Sequence, residues 1–291
     1  MIFISTGGIR DKTAAETAQD FHRHGITAVE LSGGAYSATL EADLRAMRKD
    51  LVFQVHNYFP PPAQPFVFNL ASFDRAVSER SVQHVRSAMR LAITMGRPVY
   101  SFHAGFRINP VVSELGGAIK RRELSDRSAA LNQFGEKMLL LAEEARREGV
   151  TLLVENNVLS AANMATFGED PLLLTHPDEI AAFMRGMPAH VGLLLDVAHL
   201  KVSARTLGFD LLAAHAHVKP WIRGYHLSDN DGLEDSNHSV TADSWFWDVI
   251  DPGLDYYSLE IYRMPSADLV RQHDFVKTSL TGKNISRKVS P

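Results

Sequence analysis

Three features of this 291-residue chain predict a single TIM-type (β/α)8 barrel. Eight short apolar or β-branched runs alternate with longer amphipathic stretches. Three of the connections that follow strands are long. Six consecutive strands carry a His, Asp or Glu at or near their ends. Alternating strand and helix patterns build parallel sheets with helical crossovers, and about 250 residues is an ordinary length for one closed barrel. A hydrophobic content of 45% is enough for one large core. No linker or shift in composition marks a second domain, so the barrel is placed at 1–280 and a polar, poorly tied tail at 281–291.

The elements follow in order. Ile2 to Ser5 forms the first strand, and Gly25 closes the helix after it. Ala28 to Leu31 and Leu51 to His56 are the second and third strands. In Ser72 to Met95, Val82, Val85, Met89 and Ile93 recur at three or four residues, the spacing of one helical face, and Gly96 stops the helix before Pro98. Pro98 to His103 is the fourth strand. Ser125 to Arg147 repeats the helical stripe with Leu131, Phe134, Met138, Leu141 and Ala145, and ends at Gly149. Thr151 to Glu155, Val191 to Asp196, Gly224 to Leu227 and Tyr257 to Glu260 complete the set.

The long connections, Asn57 to Ala71, Ala104 to Leu124 and Asn156 to His176, all fall on the carboxyl-terminal face, where barrel active sites are built. The first contains Pro60, Pro61, Pro62 and Pro65 and reads as an extended wall. The second contains Lys120, Arg121 and Arg122, which read first as a solvated segment and alternatively as a cover for a phosphate. Gly7-Gly8, Gly33-Gly34 and Gly116-Gly117 read as turns, because no dinucleotide or Walker pattern surrounds them.

Composition removes several classes. With 30 Lys plus Arg against 34 Asp plus Glu, the net charge of -4 gives no global attraction to nucleic acid or to an anionic membrane, although a local basic patch remains open. The absence of cysteine excludes disulfides, thiolate metal sites and cysteine nucleophiles. Metal ligands must therefore be histidines and carboxylates. Met1 to Ile4 lacks the basic start of a signal peptide, and no apolar run reaches the ~20 residues of a membrane helix, so a soluble, cytoplasmic protein is expected. Asn237-His238-Ser239 and Asn284-Ile285-Ser286 read as chance matches to a glycosylation pattern, and no G-x-S-x-G indicates a serine nucleophile.

The chemistry lies at the strand ends. His56, His103, Glu155 and Asp196 end the third to sixth strands, His226 lies in the seventh, and Glu260 ends the eighth. Each has an ordinary structural explanation singly, as a bonded core histidine, an internal ion pair or a helix cap. Six together at the converging mouth are costly to bury unless a divalent cation neutralises them. Asp196 and His199 form D-V-A-H as a strand gives way to its loop, and His238 lies in the loop after the seventh strand. Glu30 reads equally as an anchor for a substrate hydroxyl and as a buried ion pair. Arg263 and His199 are candidate contacts to substrate. His22, His24, His84, His215 and His217 fall on helical stretches and read as surface residues.

At these residues the chain resembles the xylose isomerase-like TIM-barrel superfamily over roughly residues 1 to 280. That superfamily includes sugar isomerases and epimerases and also endonuclease IV. The resemblance implies a metal quartet of Glu155, Asp196, His226 and Glu260, shared by both branches. His56 and His103, and F-N-L-A-S at Phe68 to Ser72, are similar to endonuclease IV, where two such histidines join the first glutamate around an additional zinc. The third zinc there would use His199, His238 and an aspartate two residues before the latter. That place is Ser236 here, with Asp235 one step off.

Two activities follow from the resemblance. The first is a divalent-metal isomerase or epimerase of a small sugar or sugar phosphate, with Glu155 and Glu260 moving the proton. The second is a multinuclear zinc phosphodiesterase acting on abasic DNA or a phosphorylated small molecule. The sugar reading leads, since the basic residues Lys120, Arg121, Arg122, Arg107 and Arg263 are few and scattered for duplex binding. A non-catalytic sugar-binding barrel ranks third, because both glutamates are present. One to three ions are expected, and a histidine-rich site suits Zn, Mn or Fe better than Mg.

Overall fold

The computed structural model describes residues 1–114 and 119–289, with side chains as far as 282. Gly116-Gly117 therefore lies outside the described residues. Eight parallel strands close into a barrel in sequence order, β1 (Ile2–Ser5), β2 (Ala28–Leu31), β3 (Val52–His56), β4 (Val99–His103), β5 (Thr151–Glu155), β6 (Val191–Asp196), β7 (Ile222–Leu227) and β8 (Tyr257–Leu259), with β1 pairing both β2 and β8. The fold is a (β/α)8 barrel, as the alternation of patterns predicts. Nine α-helices among the described residues surround it: α1 (Ala14–Arg23), α2 (Leu40–Met47), α3 (Arg75–Thr94), α4 (Arg127–Glu148), α5 (Ala161–Phe167), α6 (Pro177–Arg185), α7 (Val197–Leu207), α8 (Leu211–Val218) and α9 (Ser266–Val289).

Local chemistry sets the helix ends. Thr13 and Glu16 form a reciprocal capping box on α1, and Asp74, Asp126, Ser160, Asp196 and Asp210 cap five further helices through their side chains. Gly149 ends α4 in the left-handed region (φ 70), which glycine adopts at least cost. Helix α9 continues through 281–289, the segment expected to be a tail. No helix among the described residues is long and apolar enough to cross a membrane.

Strand side chains alternate between two faces, one packed against the helices and one pointing into the barrel. Phe3, Ala28, Leu153, Leu194 and Tyr256 form an apolar cluster with Val99. In the same alternation, one or two steps towards the carboxyl end, come Ser5, Glu30, His56, Ser101, His103, Glu155, Asp196, His226, Ser258 and Glu260. The barrel interior is thus apolar below and ionisable above. Gly224 makes room for this arrangement, since a Cβ there would stand 2.7 Å from the Tyr256 ring and 3.1 Å from Leu194.

Two histidines expected at the surface are buried instead. His84 of α3 stacks on Tyr58 with ring centroids 5.1 Å apart, and burial lowers its pKa to about 4. His215 of α8 bonds the Tyr225 hydroxyl at 3.0 Å. Both lie on the inner faces of their helices, so a helical position alone does not place a histidine in solvent. His22, His24 and His217 are exposed as expected.

Candidate metal centre

The strand-end residues converge. Three groups of ligand atoms each fall within 4.8 Å of one another: Glu155, Asp196, His226 and Glu260; His56, His103 and Glu155; and Glu30, His56 and His226. Glu155 belongs to the first two. Its Oε1 lies 3.1 Å from His226 Nδ1, while its Oε2 lies 3.3 Å from both His56 Nε2 and His103 Nδ1. His226 Nδ1 also lies 3.5 Å from Glu260 and 3.9 Å from Asp196. The carboxylate of Glu155 is shared by an inner quartet and an outer triad.

The residues fit a divalent cation. Both oxygens of Glu155, Oδ2 of Asp196, Nδ1 of His226 and Nδ1 of His103 are buried without a hydrogen-bond partner. Buried polar atoms in folded proteins are nearly always paired, so five unpaired atoms facing a common space have the character of ligands. His226 Nδ1 and Glu155 Oε1 are close enough to bond and are not aligned to do so. An ion at the quartet would satisfy both.

The electrostatics agree. Burial raises Glu155 to about 7 and Asp196 to about 6, only partly countered by His226 and His199. Burial also lowers His56 to about 4, with His226 adding to the effect, and it lowers His103. Burial opposes charge on His226 too, but Glu30, Glu155 and Glu260 outweigh it and raise that histidine well above its ordinary value. A divalent ion reverses this logic, favouring ionised carboxylates and neutral imidazoles.

Some expected residues lie elsewhere. Glu30, read as a substrate anchor or an ion pair, is fully buried beneath His226 and accepts its Nε2–H at 3.0 Å, so the ion-pair reading fits its position. His199 and His238, expected among the ligands, are outside all three groups. His199 contacts the Asn156 carbonyl through Nδ1 at 2.9 Å and Asp235 through Nε2 at 3.2 Å, which occupies both ring nitrogens. Burial disfavours its charge, yet Asp196 and Asp235 raise its pKa well above the ordinary value.

His238 is exposed, in a backbone bridge with Asp229 that carries bonds of 2.9 and 3.0 Å. It lines a groove of about 710 Å³ together with Asn237, Tyr262 and Arg263. Arg263 is exposed at the rim, with φ 59. The basic patch is also smaller than its residues suggest. Arg107 is buried against Glu169 at 2.6 Å and Arg122 is bound to Glu114 at 2.7 Å, which leaves Lys120 and Arg121 exposed in that loop.

Sequence reasoning missed several contributors. Asn156 spans β5 and β6, accepting the Asp196 N–H at 2.8 Å and donating to the Asp196 carbonyl at 3.1 Å. Its position directly after Glu155 was a signal. Tyr262 lies over Gly7 and Gly8, where a Cβ would come within 2.4 and 2.9 Å of it, and its hydroxyl is 3.4 Å from Glu260. Ser101 and Tyr256 share the inward alternation of His103 and Glu260. Asp235 has a buried, unpartnered Oδ1 beside His199, and Asn237, two residues on, has a buried, unpartnered Nδ2.

The fold and the converging carboxylates and histidines define a (β/α)8 barrel with a candidate metal centre at its mouth. The sequence profile of the Xylose isomerase-like TIM barrel family matches residues 18–272, and the chain belongs to that family. Its fold is similar to that of a D-tagatose 3-epimerase-like protein, at 17% identity, TM-score 0.74 and 99% coverage of each chain. A Thermus thermophilus protein soaked with ZnCl2 is similar at 20% identity and TM-score 0.61, covering 97% of this chain and 98% of that one. An AP endonuclease, family 2, from Brucella melitensis is similar at 15% identity and TM-score 0.59, covering 91% and 95%. No curated protein matches the chain in sequence.

Proposed function

We propose that the chain is a divalent-metal-dependent isomerase or epimerase of a small sugar or sugar phosphate, with Glu155 and Glu260 as the proton-transferring groups. The observation that carries this reading is the quartet of Glu155, Asp196, His226 and Glu260, whose ligand atoms lie within 4.8 Å of one another, those of the first three buried and unpartnered. A cation held there would supply Lewis acidity to a substrate carbonyl and its neighbouring hydroxyl.

The protein's own groups supply the rest. Glu155, raised to about 7 by burial before any cation binds, and Glu260, which His226 holds below its ordinary value against the effect of burial, present two carboxylates in different environments. Such a pair suits removal of a proton on one side of a carbon and its return on the other. Tyr262 lies within bonding distance of Glu260, and the His199–Asp235 ion pair offers polar groups near the hydroxyls of a substrate. Arg263 and His238 line the outer groove, where a distal hydroxyl or phosphate would extend.

The second reading, a multinuclear phosphodiesterase, draws support from the triad of His56, His103 and Glu155. It is weakened by the closure of His199 on Asp235, the outward His238 and the internal pairing of Arg107 and Arg122. The deciding experiment incubates metal-reconstituted protein with a panel of ketoses and ketose phosphates in D2O. Deuterium should enter at the carbon beside the carbonyl, and Glu155→Gln or Glu260→Gln should abolish its entry. Clean metal-dependent incision of an abasic duplex, without deuterium entry into any ketose, would put the second reading first.

A further inference from the structure

Beneath the candidate ligands a second layer of polar groups is continuous from one side of the barrel to the other. His56 Nδ1 lies 3.0 Å from Ser101 Oγ, which lies 3.0 Å from the Tyr256 hydroxyl. Tyr256 donates to Glu30 Oε2 at 2.5 Å, and the same oxygen accepts from His226 Nε2 at 3.0 Å. His56, Ser101, Glu30 and His226 are each no more than 1% exposed, and so is Tyr256, so no bulk water competes. The chain runs from β3 through β4, the residue before β8 and β2 to β7.

Counting protons fixes every direction in it. An ionised carboxylate only accepts, so Glu30 takes the single Tyr256 proton and the His226 Nε2 proton. Tyr256 then has no proton left for Ser101, and their contact requires Ser101 to donate. Ser101 has in turn no proton left for His56, so His56 Nδ1 must donate to Ser101. Each hydroxyl has one proton, and reversing any link leaves two lone pairs facing each other.

We infer that Ser101, Tyr256 and Glu30 are positioning residues that set the tautomer of His56, so that a single buried carboxylate orients a histidine of both the outer triad and the inner quartet. With Nδ1 protonated, His56 directs its Nε2 lone pair at the space beside Glu155, 3.3 Å away. With Nε2 bonded to Glu30, His226 directs Nδ1 into the quartet. Hydrogen-bond partners behind metal-binding histidines fix ring orientation and typically change metal affinity by about 10 to 100-fold when lost. Here two such partners converge on one oxygen. The coupling is asymmetric. Breaking the chain at Tyr256 or Ser101 frees His56 and leaves the Glu30–His226 bond intact, whereas breaking it at Glu30 releases both histidines.

The inference rests on the reading of these groups as cation sites, and its test separates the two ideas. Long-range nitrogen–proton NMR of metal-free protein labelled at histidine reports the His56 tautomer without any ion. The wild type should show the Nδ1–H form, and Tyr256→Phe should convert it to a mixture or to the Nε2–H form. Zinc titration then follows, with bound zinc counted after desalting. Tyr256→Phe and Ser101→Ala should weaken one of two zinc sites about 10 to 100-fold and leave the other within about threefold, while Glu30→Gln weakens both. Ser101→Ala keeps the large Tyr256 ring in place and serves as the second variant if Tyr256→Phe folds poorly. An Nε2–H form of His56 in the wild type, or an unchanged tautomer in both variants, overturns the inference whatever the zinc count. The predicted tautomers without zinc binding would refute the cation-site reading instead.

Discussion

Replacing Glu155 by glutamine should stabilise the metal-free protein as the pH rises. Burial holds this carboxyl at about 7 against an ordinary 4.5. That gap corresponds to about 3 kcal/mol against the ionised form. The folded chain keeps the proton where the unfolded chain has lost it, so between pH 4.5 and 7 the folded state binds more protons and stability falls with rising pH. The amide of Glu155→Gln cannot ionise, and the variant's stability curve lacks this component. The figure is an upper bound, because the substitution also removes one of the carboxylates that keep His226 charged. In EDTA, the stability difference between variant and wild type should shift in favour of the variant by up to about 3 kcal/mol between about pH 5 and pH 8. At about 2 °C per kcal/mol, the expectation for a domain of this size, that is a shift of roughly 5 °C in relative Tm. Differential scanning calorimetry at the two pH values measures it. With saturating zinc the order should reverse, since only the wild type keeps the shared carboxylate. Parallel pH curves for the two proteins in EDTA would refute the assignment of the strained charge to Glu155.

Zinc binding should expel protons. Glu155 is protonated below about 7, Asp196 below about 6, and His226 is raised well above its ordinary value. Calorimetry at about pH 6 in buffers of different ionisation enthalpy should therefore report more than one proton released per ion, declining towards about pH 8. A buffer-independent heat at the lower pH would contradict this. Gly224→Ala should cost about 1–3 kcal/mol by urea unfolding, because the new methyl meets the Tyr256 ring at 2.7 Å. The same variant should release zinc to a chelator faster than wild type, as that ring carries the hydroxyl on Glu30. Arg127→Ala should cost about 2–4 kcal/mol in the same assay. Its guanidinium binds Glu179 at 2.6 and 2.8 Å and also Asp170, tying the start of α4 to α6. A loss below about 0.5 kcal/mol would mean that the ion pair is effectively solvated.

The fold is legible in the sequence because the signals repeat. Eight apolar runs each end near an observed strand end, and parallel strands with helical crossovers leave few alternatives to a closed barrel. Glu155, Asp196, His226 and Glu260 are legible for a related reason: ionisable groups directly after apolar strand residues face inward at the mouth. Ser101 and Tyr256 carry no such signal. A serine and a tyrosine in or beside strands are ordinary core residues until the alternation of β4 and the approach to β8 is known to be inward. His84 and His215 escape a sequence reading because which face of α3 and α8 packs inward depends on neighbours far away in sequence. Asp235 stands one place off the spacing expected of a ligand, yet it is the residue that reaches His199.

That one-place offset matters beyond the site itself. Asp235 points at His199, Asn237 is buried, and His238 is turned outward by its bridge to Asp229. The loop holds the residue types of a further cation site with the imidazole one position too late. Asn237 stands in the left-handed region (φ 48), so the backbone turns between Asp235 and His238 and their side chains leave in different directions. Which side chains of this loop reach His199 is thereby set by its backbone path as well as by residue identity. A residue gained or lost between 235 and 238 would change which of these side chains faces His199, while the eight strands and Glu155 lie outside the loop.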